Sequence, residues 1–268
     1  MKKRMADMKK LFIIIGVILI GSGLIGAVMT YQGNFTDEEI VEIIHTPVKV
    51  LTIEADNTPI TIVPTDKDGI AVIFSGMKTQ DLTNALNVAT NDESLAITVD
   101  QDNWLFFIPF ITQQPQLIIK VPHEQLTNLS AKTSNGRLIV KEQHIDEIDL
   151  KTSNGAIELI DLHSNELVAN TSNGKVTLIN TTGWIEAETK NGSIDAFGLS
   201  ITDDVRLETS NGSIDVSLSQ EANVTIDANT SNGSINLFGH DNRHSVLNNG
   251  TYSLTLDTSN GSVDVVTD

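Results

Sequence analysis

The sequence predicts an all-β fold: a parallel β-solenoid (β-helix) of coils 19–21 residues long, preceded by one N-terminal transmembrane helix. Three observations predict it. The tetrapeptide Thr-Ser-Asn-Gly recurs seven times, starting at Thr133, Thr152, Thr171, Thr189, Thr209, Thr230 and Thr258, with Lys190 replacing serine once; the steps are 19, 19, 18, 20, 21 and 28 residues. Short runs of alternating apolar residues flank each copy, such as Leu129-x-Ala131-x-Thr133 before and Leu138-x-Val140 after. An uncharged apolar run, Leu11 to Met29, follows a basic N-terminus.

Residues 1–10 carry Lys2, Lys3, Arg4, Lys9 and Lys10, and no Lys or Arg then occurs before Lys49. The positive-inside rule places residues 1–10 in the cytoplasm and everything after the anchor, residues 11–29, outside. The expected location is the cell membrane, single-pass. A cleaved signal peptide is the competing reading, but the run is long for one and no small-x-small site follows it. Gly16, Gly21, Gly23 and Gly26 would let the helix pack closely on a partner helix. Residues 30–47 form a juxtamembrane linker, in which Thr36-Asp37-Glu38-Glu39 has the form of a capping box.

Residues 48–130 read as irregular N-terminal capping coils, because a terminal repeat lacks a neighbour on one side. Alternation is degenerate here: Leu51-x-Ile53, Ile60-x-Ile62, Ile70-x-Val72-x-Phe74, Leu95-x-Ile97-x-Val99 and Leu117-x-Ile119-x-Val121. One segment breaks the pattern. Trp104, Phe106, Phe107 and Phe110 are four of the chain's twelve aromatic residues, and Pro109 and Pro115 exclude a central strand. The segment reads either as a flap over an open end or as an interaction loop for a membrane protein or the outer leaflet.

Residues 131–268 form the regular solenoid. Strict alternation points one parity inward and leaves Lys132, Lys151, Asn170, Glu188, Glu208, Asn229 and Asp257 in water. Asn-Gly tolerates positive φ and is expected to turn the chain at Asn135-Gly136, Asn154-Gly155, Asn173-Gly174, Asn191-Gly192, Asn211-Gly212, Asn232-Gly233 and Asn260-Gly261. Two geometries compete. Each pair closes a hairpin of an antiparallel meander, or each forms a corner of a coil stacked in parallel on its neighbour. Identity at polar positions favours the stack, where Thr lies on Thr and Asn on Asn. Seven coils at about 4.8 Å would rise roughly 30 Å.

Composition bounds the function. There is no cysteine, which excludes a disulfide framework, a thiolate metal site and a catalytic thiol. Of 17 basic and 35 acidic residues, five and one lie in residues 1–10, leaving 12 and 34 for the exported part, a net charge of −22. Such a surface repels nucleic acid and anionic headgroups and attracts divalent cations or cationic peptides. Asp195 and Asp215, stacked about 5 Å apart, are the candidate Ca²⁺ ligands, since a cation would relieve their repulsion. A solvated ladder with splayed side chains is the simpler reading. His240 and His244 lie four apart within the Gly239–Gly250 insertion and lack zinc spacing. No nucleophile elbow, phosphate loop or dinucleotide fingerprint occurs. No catalytic residue or cofactor is expected, and polysaccharide-active enzymes remain a distant alternative.

The segment Leu117-Ile118-Ile119-Lys120-Val121-Pro122, followed by Leu129-Ser130-Ala131-Lys132-Thr133-Ser134-Asn135-Gly136 and its repeats, resembles the bacterial putative-adhesin domain family. With the basic start and single anchor it is most similar to the LiaG-like membrane proteins of Gram-positive bacteria. The resemblance covers roughly residues 48–268. It implies an exported β-helical domain and, in some members, a link to envelope stress. It transfers no catalytic residue. The expected function is that of a non-enzymatic, membrane-anchored interaction or accessory module of the cell envelope, with an envelope protein or a cell-wall polymer as partner. A surface adhesin or wall-glycan binder is the alternative.

Overall fold

The computed structural model describes residues 39–76, 83–100 and 115–267. The expected anchor and the aromatic residues Trp104, Phe106, Phe107 and Phe110 lie outside the described residues. Among the described residues no helix is long and apolar enough to cross a membrane. The fold is all-β, a curled sheet of mixed parallel and antiparallel strands that winds as a solenoid.

The first strands are β1 (Glu39–Ile44), β2 (Val50–Ala55), β3 (Ile60–Thr65), β4 (Ile70–Ser75), β5 (Leu86–Asn91), β6 (Ser94–Val99) and β7 (Gln116–Pro122). The middle of the chain forms β8 (Asn128–Thr133), β9 (Leu138–His144), β10 (Glu147–Thr152), β11 (Ile157–Thr171), β12 (Val176–Ile179), β13 (Thr182–Thr189) and β14 (Ile194–Leu199). The last are β15 (Val205–Thr209), β16 (Ile214–Leu218), β17 (Val224–Asn232), β18 (Ile235–Leu237), β19 (His244–Leu247), β20 (Tyr252–Asn260) and β21 (Val263–Thr267).

Strands that precede a tetrapeptide pair in register with one another, and strands that follow one do the same. Thr152 sits opposite Thr133 and Thr171 opposite Thr152, while Ile157 lies between Leu138 and Val176. The parallel stack is therefore the geometry adopted, and the hairpin reading fails. Inward residues of both faces, from Leu51 to Val265, form one buried core. Most are Ile, Leu, Val and Ala, because a narrow interior has no room for aromatic rings; Phe74, near the N-terminal end, is the fully buried exception.

Stacking does not follow chain order at either end. On the face before the corners the order is β5, β6, β2, β8, β10, β11, β13, β15, β20, β17, β19. The last coil, β20 and β21, is inserted between the coil of β15 and β16 and that of β17 and β18. At the N-terminal end β6 and β7 lie outside β2 and β3. The expectation that successive repeats are always neighbours is thus corrected. Its physical reason lies in the 28-residue step, whose extra length allows the chain to form β19, an antiparallel strand that covers the open edge of β17, before it returns to fill the gap. Antiparallel β5, β4 and β1 close the other end, so exposed strand edges are limited.

The segment Val99 to Gln116 stands where other coils carry their tetrapeptide, since β6 and β7 pair with the two strands that flank Asp56-Asn57-Thr58.

The inserted coil generates a prediction. A chain ending at Gly250 leaves β17 and β18 without any parallel partner. Hydrogen exchange should show the amides of Asn229–Asn232, which β19 does not pair, unprotected in that truncation, with those of Glu147–Thr152 still protected. Protection of both would contradict the insertion.

Candidate interaction surface

The threonine and asparagine side chains of the tetrapeptide are engaged by the corners themselves. Each asparagine amide donates to the asparagine of the coil beneath: Asn154 to Asn135 at 2.5 Å, Asn173 to Asn154 at 2.6 Å, Asn191 to Asn173 at 2.8 Å and Asn211 to Asn191 at 2.9 Å. The ladder continues through Asn260 onto Asn211 and Asn232 onto Asn260, both at 2.9 Å. Asn57 extends it downward by accepting from Asn135, a rung that the degenerate first corner concealed in the sequence.

Each threonine makes a second link. The Gly174 N–H donates to Thr171 Oγ1 at 3.1 Å, and that hydroxyl donates to the Gly155 carbonyl of the coil beneath at 3.0 Å. The same pair of bonds occurs at Thr152 with Gly155 and Gly136. A hydroxyl supplies both a donor and an acceptor, which a buried corner requires and no apolar side chain offers.

The glycines act differently from the expectation. None of the tetrapeptide asparagines or glycines has positive φ. Glycine is needed because a Cβ would collide with the preceding corner: one built on Gly174 meets the Gly155 carbonyl oxygen at 1.7 Å, and on Gly155 it meets that of Gly136 at 1.7 Å. Positive φ instead occupies the following corner, at Glu142, Asp161, Asn180 and Gly198. There Asn180 donates to Asp161 at 2.8 Å.

The Ca²⁺ candidates are neighbours. Asp195 lies opposite Asp215, and the inserted coil adds Asp264 beyond it. The carboxylates are held by other groups: Lys175 pairs with Asp195, Ser213 donates to Asp215 at 2.9 Å and Asn236 donates to Asp264 at 2.5 Å. Among the described residues no group of three His, Asp or Glu side chains is arranged to hold a metal ion. His240 and His244 are not brought together as ligands. The His240 N–H bonds the Leu237 carbonyl, while His244 Nδ1 lies 2.8 Å from Asp227.

The outer face before the corners carries a feature that sequence reading missed. A shallow open groove of about 300 Å³ runs over three coils, lined by Asn128, Ser130, Glu147, Asp149, Lys151 and Glu166. A neighbouring depression of about 220 Å³ shares Ser130, Asp149 and Lys151 and adds Lys132 and Glu54. Asn128 donates to Glu147 at 2.5 Å, and Lys151 pairs with Asp149 at 3.0 Å. The other Asp149 oxygen is enclosed and has no hydrogen-bond partner. Trp184 is the register partner of Glu166 and stands half-buried at the groove's end. The signal was present as columns of outward residues one coil apart, Asn128–Glu147–Glu166 and Ser130–Asp149–Val168. Farther along this face, the Arg206 guanidinium is raised above its usual pKa, first by its hydrogen bond to Glu208 and then by charge attraction to Glu208, Asp257 and Glu186.

A family model described as Toastrack DUF4097 matches residues 48–178 and 138–266. No curated protein matches the chain. Among solved structures, a putative adhesin from Bacteroides fragilis is 11% identical, with 86% of this chain and 98% of that one covered and a TM-score of 0.47. A putative lipid binding protein from Parabacteroides distasonis is 18% identical, covering 87% and 98%, with a TM-score of 0.45. A putative cell adhesion protein from Clostridium sporogenes is 12% identical, covering 87% and 100%, with a TM-score of 0.40.

Two predictions follow from the corners. Gly174→Ala should lower stability by at least about 2 kcal/mol through overpacking. Gly239→Ala, at φ +84° but in open space, should cost about 1 kcal/mol; equal thermal midpoints would refute steric contact as the role of the corner glycines. Thr171→Val should cost about 2–4 kcal/mol by stranding two buried backbone groups, whereas Thr171→Ser keeps both bonds and should cost less than half as much in urea denaturation.

Proposed function

The chain belongs to the Toastrack DUF4097 family, and from that premise we propose that it is a non-enzymatic binding module of the bacterial cell envelope. It is held at the outer side of the membrane by residues 11–29 and serves as an accessory to an envelope protein or wall polymer, in the setting of envelope stress. The observation that carries this reading is the groove over three coils. The corner ladders fix the spacing of its walls, so Glu147 and Glu166 stand one coil apart, about 4.8 Å, while Glu147, Asp149 and Lys151 alternate along one strand, about 7 Å apart. A repeating lattice of charged and amide groups suits an extended polar ligand, whose own repeat meets the columns in succession.

Trp184 favours a second reading, a surface adhesin or wall-glycan binder. An indole beside a carboxylate at the end of a polar groove offers a face for a sugar ring and an acceptor for its hydroxyls.

The test is binding of the exported domain, residues 37–268, to washed wall sacculi, with and without Ca²⁺. Saturable binding that falls about tenfold or more in the variant Glu147→Gln, Asp149→Asn, Glu166→Gln supports a wall ligand in the groove. Loss on Trp184→Ala selects the glycan reading. Binding that survives all these substitutions removes the groove from the account, and absence of binding turns the search to a membrane protein.

A further inference from the structure

The opposite outer face, formed by strands that follow the corners, changes character along the solenoid. Toward the C-terminal end it presents Asp195, Asp215 and Asp264. At the N-terminal end the same row of positions is apolar apart from Thr61 up to Ile139, after which Glu158 follows: Val41 lies opposite Ile73, Ile73 opposite Ile118, and Ile118 and Ile139 both opposite Thr61. Ile43 stands in the adjoining row. Val41 is 47% exposed and Ile43 57% exposed, both on the edge strand β1. Lys120 lies within this patch, opposite Ala71 and Val63, and Lys141 follows two residues after Ile139 on the same side. No carboxylate lies within ion-pair distance of Lys120 or Lys141 among the described residues. Glu39 shares this parity at the first residue of β1. The patch is thus apolar with two unpaired cations on a domain whose net charge is strongly negative.

We propose that this face docks the N-terminal end of the solenoid onto an anionic lipid surface. The proposal rests on the reading of residues 11–29 as a membrane anchor. Nine residues, 30–38, separate Met29 from β1, and fully extended they reach about 30 Å. The patch is therefore held where a bilayer surface is always within reach. A contact too weak to recruit a free protein becomes intramolecular and is populated through the high effective concentration of a short tether. Exposed Val and Ile suit the headgroup boundary, and lysines beside them suit phosphate oxygens. Net charge alone predicts repulsion from such a surface, but Asp195, Asp215 and Asp264 lie on coils farther along the stack, beyond the Debye length of about 8 Å from the patch at physiological salt, and Glu158, one coil from Ile139, is paired with Arg137 at 3.4 Å. Docking would lay the strands of this face toward the bilayer and turn the groove face away from it.

The cysteine-free chain permits a direct test. The full-length protein is reconstituted in nanodiscs of anionic or zwitterionic phospholipid, with a fluorophore at Ser75→Cys beside the patch or at Ser231→Cys in the terminal coil. Headgroup-attached quenchers should quench residue 75 and spare residue 231 in anionic discs. Lys120→Glu with Lys141→Glu should reduce the docked population about fivefold or more, and Val41→Ser with Ile43→Ser should do the same without changing charge. Equal quenching at the two positions in discs that retain the protein overturns the docking proposal and leaves the anchor intact. Protection of residue 75 from aqueous iodide without headgroup quenching overturns it in favour of a cover by residues 101–114 or by a second copy. Release of the chain from discs by an alkaline wash overturns the anchor reading, and the docking proposal with it.

Discussion

Backbone contact between successive corners governs this structure. A glycine of one coil lies so close to the backbone carbonyl of the neighbouring corner that a Cβ placed on it would stand only 1.7–2.0 Å from that oxygen at the tetrapeptide corners. That approach fixes the coil spacing, and with it every parallel hydrogen bond on both faces. Threonine and asparagine then exploit the spacing. The hydroxyl bridges the glycine N–H of its own corner to the carbonyl of the neighbouring one, and the carboxamides form a continuous ladder. Each link is worth about 1 kcal/mol, and the repetition makes the stack rigid although each coil buries little by itself.

Much of this was legible in the residues. Alternation around each tetrapeptide set the strands, and identity at Thr171, Asn173 and Gly174 selected a parallel stack over a hairpin. The reason for glycine was not legible, because positive φ and close approach leave the same mark on a sequence. The coil order was hidden as well. Asn260 rests on Asn211, and Asn232 rests on Asn260, and all three carry the same tetrapeptide. Only the long step before Thr258 hinted at an exchange, and its length was equally consistent with a surface loop.

The candidate site was less legible than the fold. The pair Asp195 and Asp215 was expected as neighbours and is found so, with one oxygen of each engaged, by Lys175 and by Ser213. The groove escaped notice because its residues are ordinary outward-facing positions. Asn128, Glu147 and Glu166 form a column only once the coils are aligned. The corner threonines and asparagines bond the neighbouring corners, and the outward columns are where sequence varies from coil to coil. One face offers a polar groove and the other an apolar end with two lysines.

The most direct test of the stacking order uses paired cysteines in this cysteine-free chain. Ser210 and Ser259 are exposed residues at corresponding corner positions of coils that adjoin in space though not in sequence. Their separation of about 5 Å suits a disulfide, whereas Ser210 and Ser231 stand about two coil spacings apart, beyond its reach. Mild oxidation should cross-link Ser210→Cys with Ser259→Cys and leave Ser210→Cys with Ser231→Cys reduced. The reverse result would mean that the coils stack in chain order, and the continuous ladder through Asn260 would have to be abandoned.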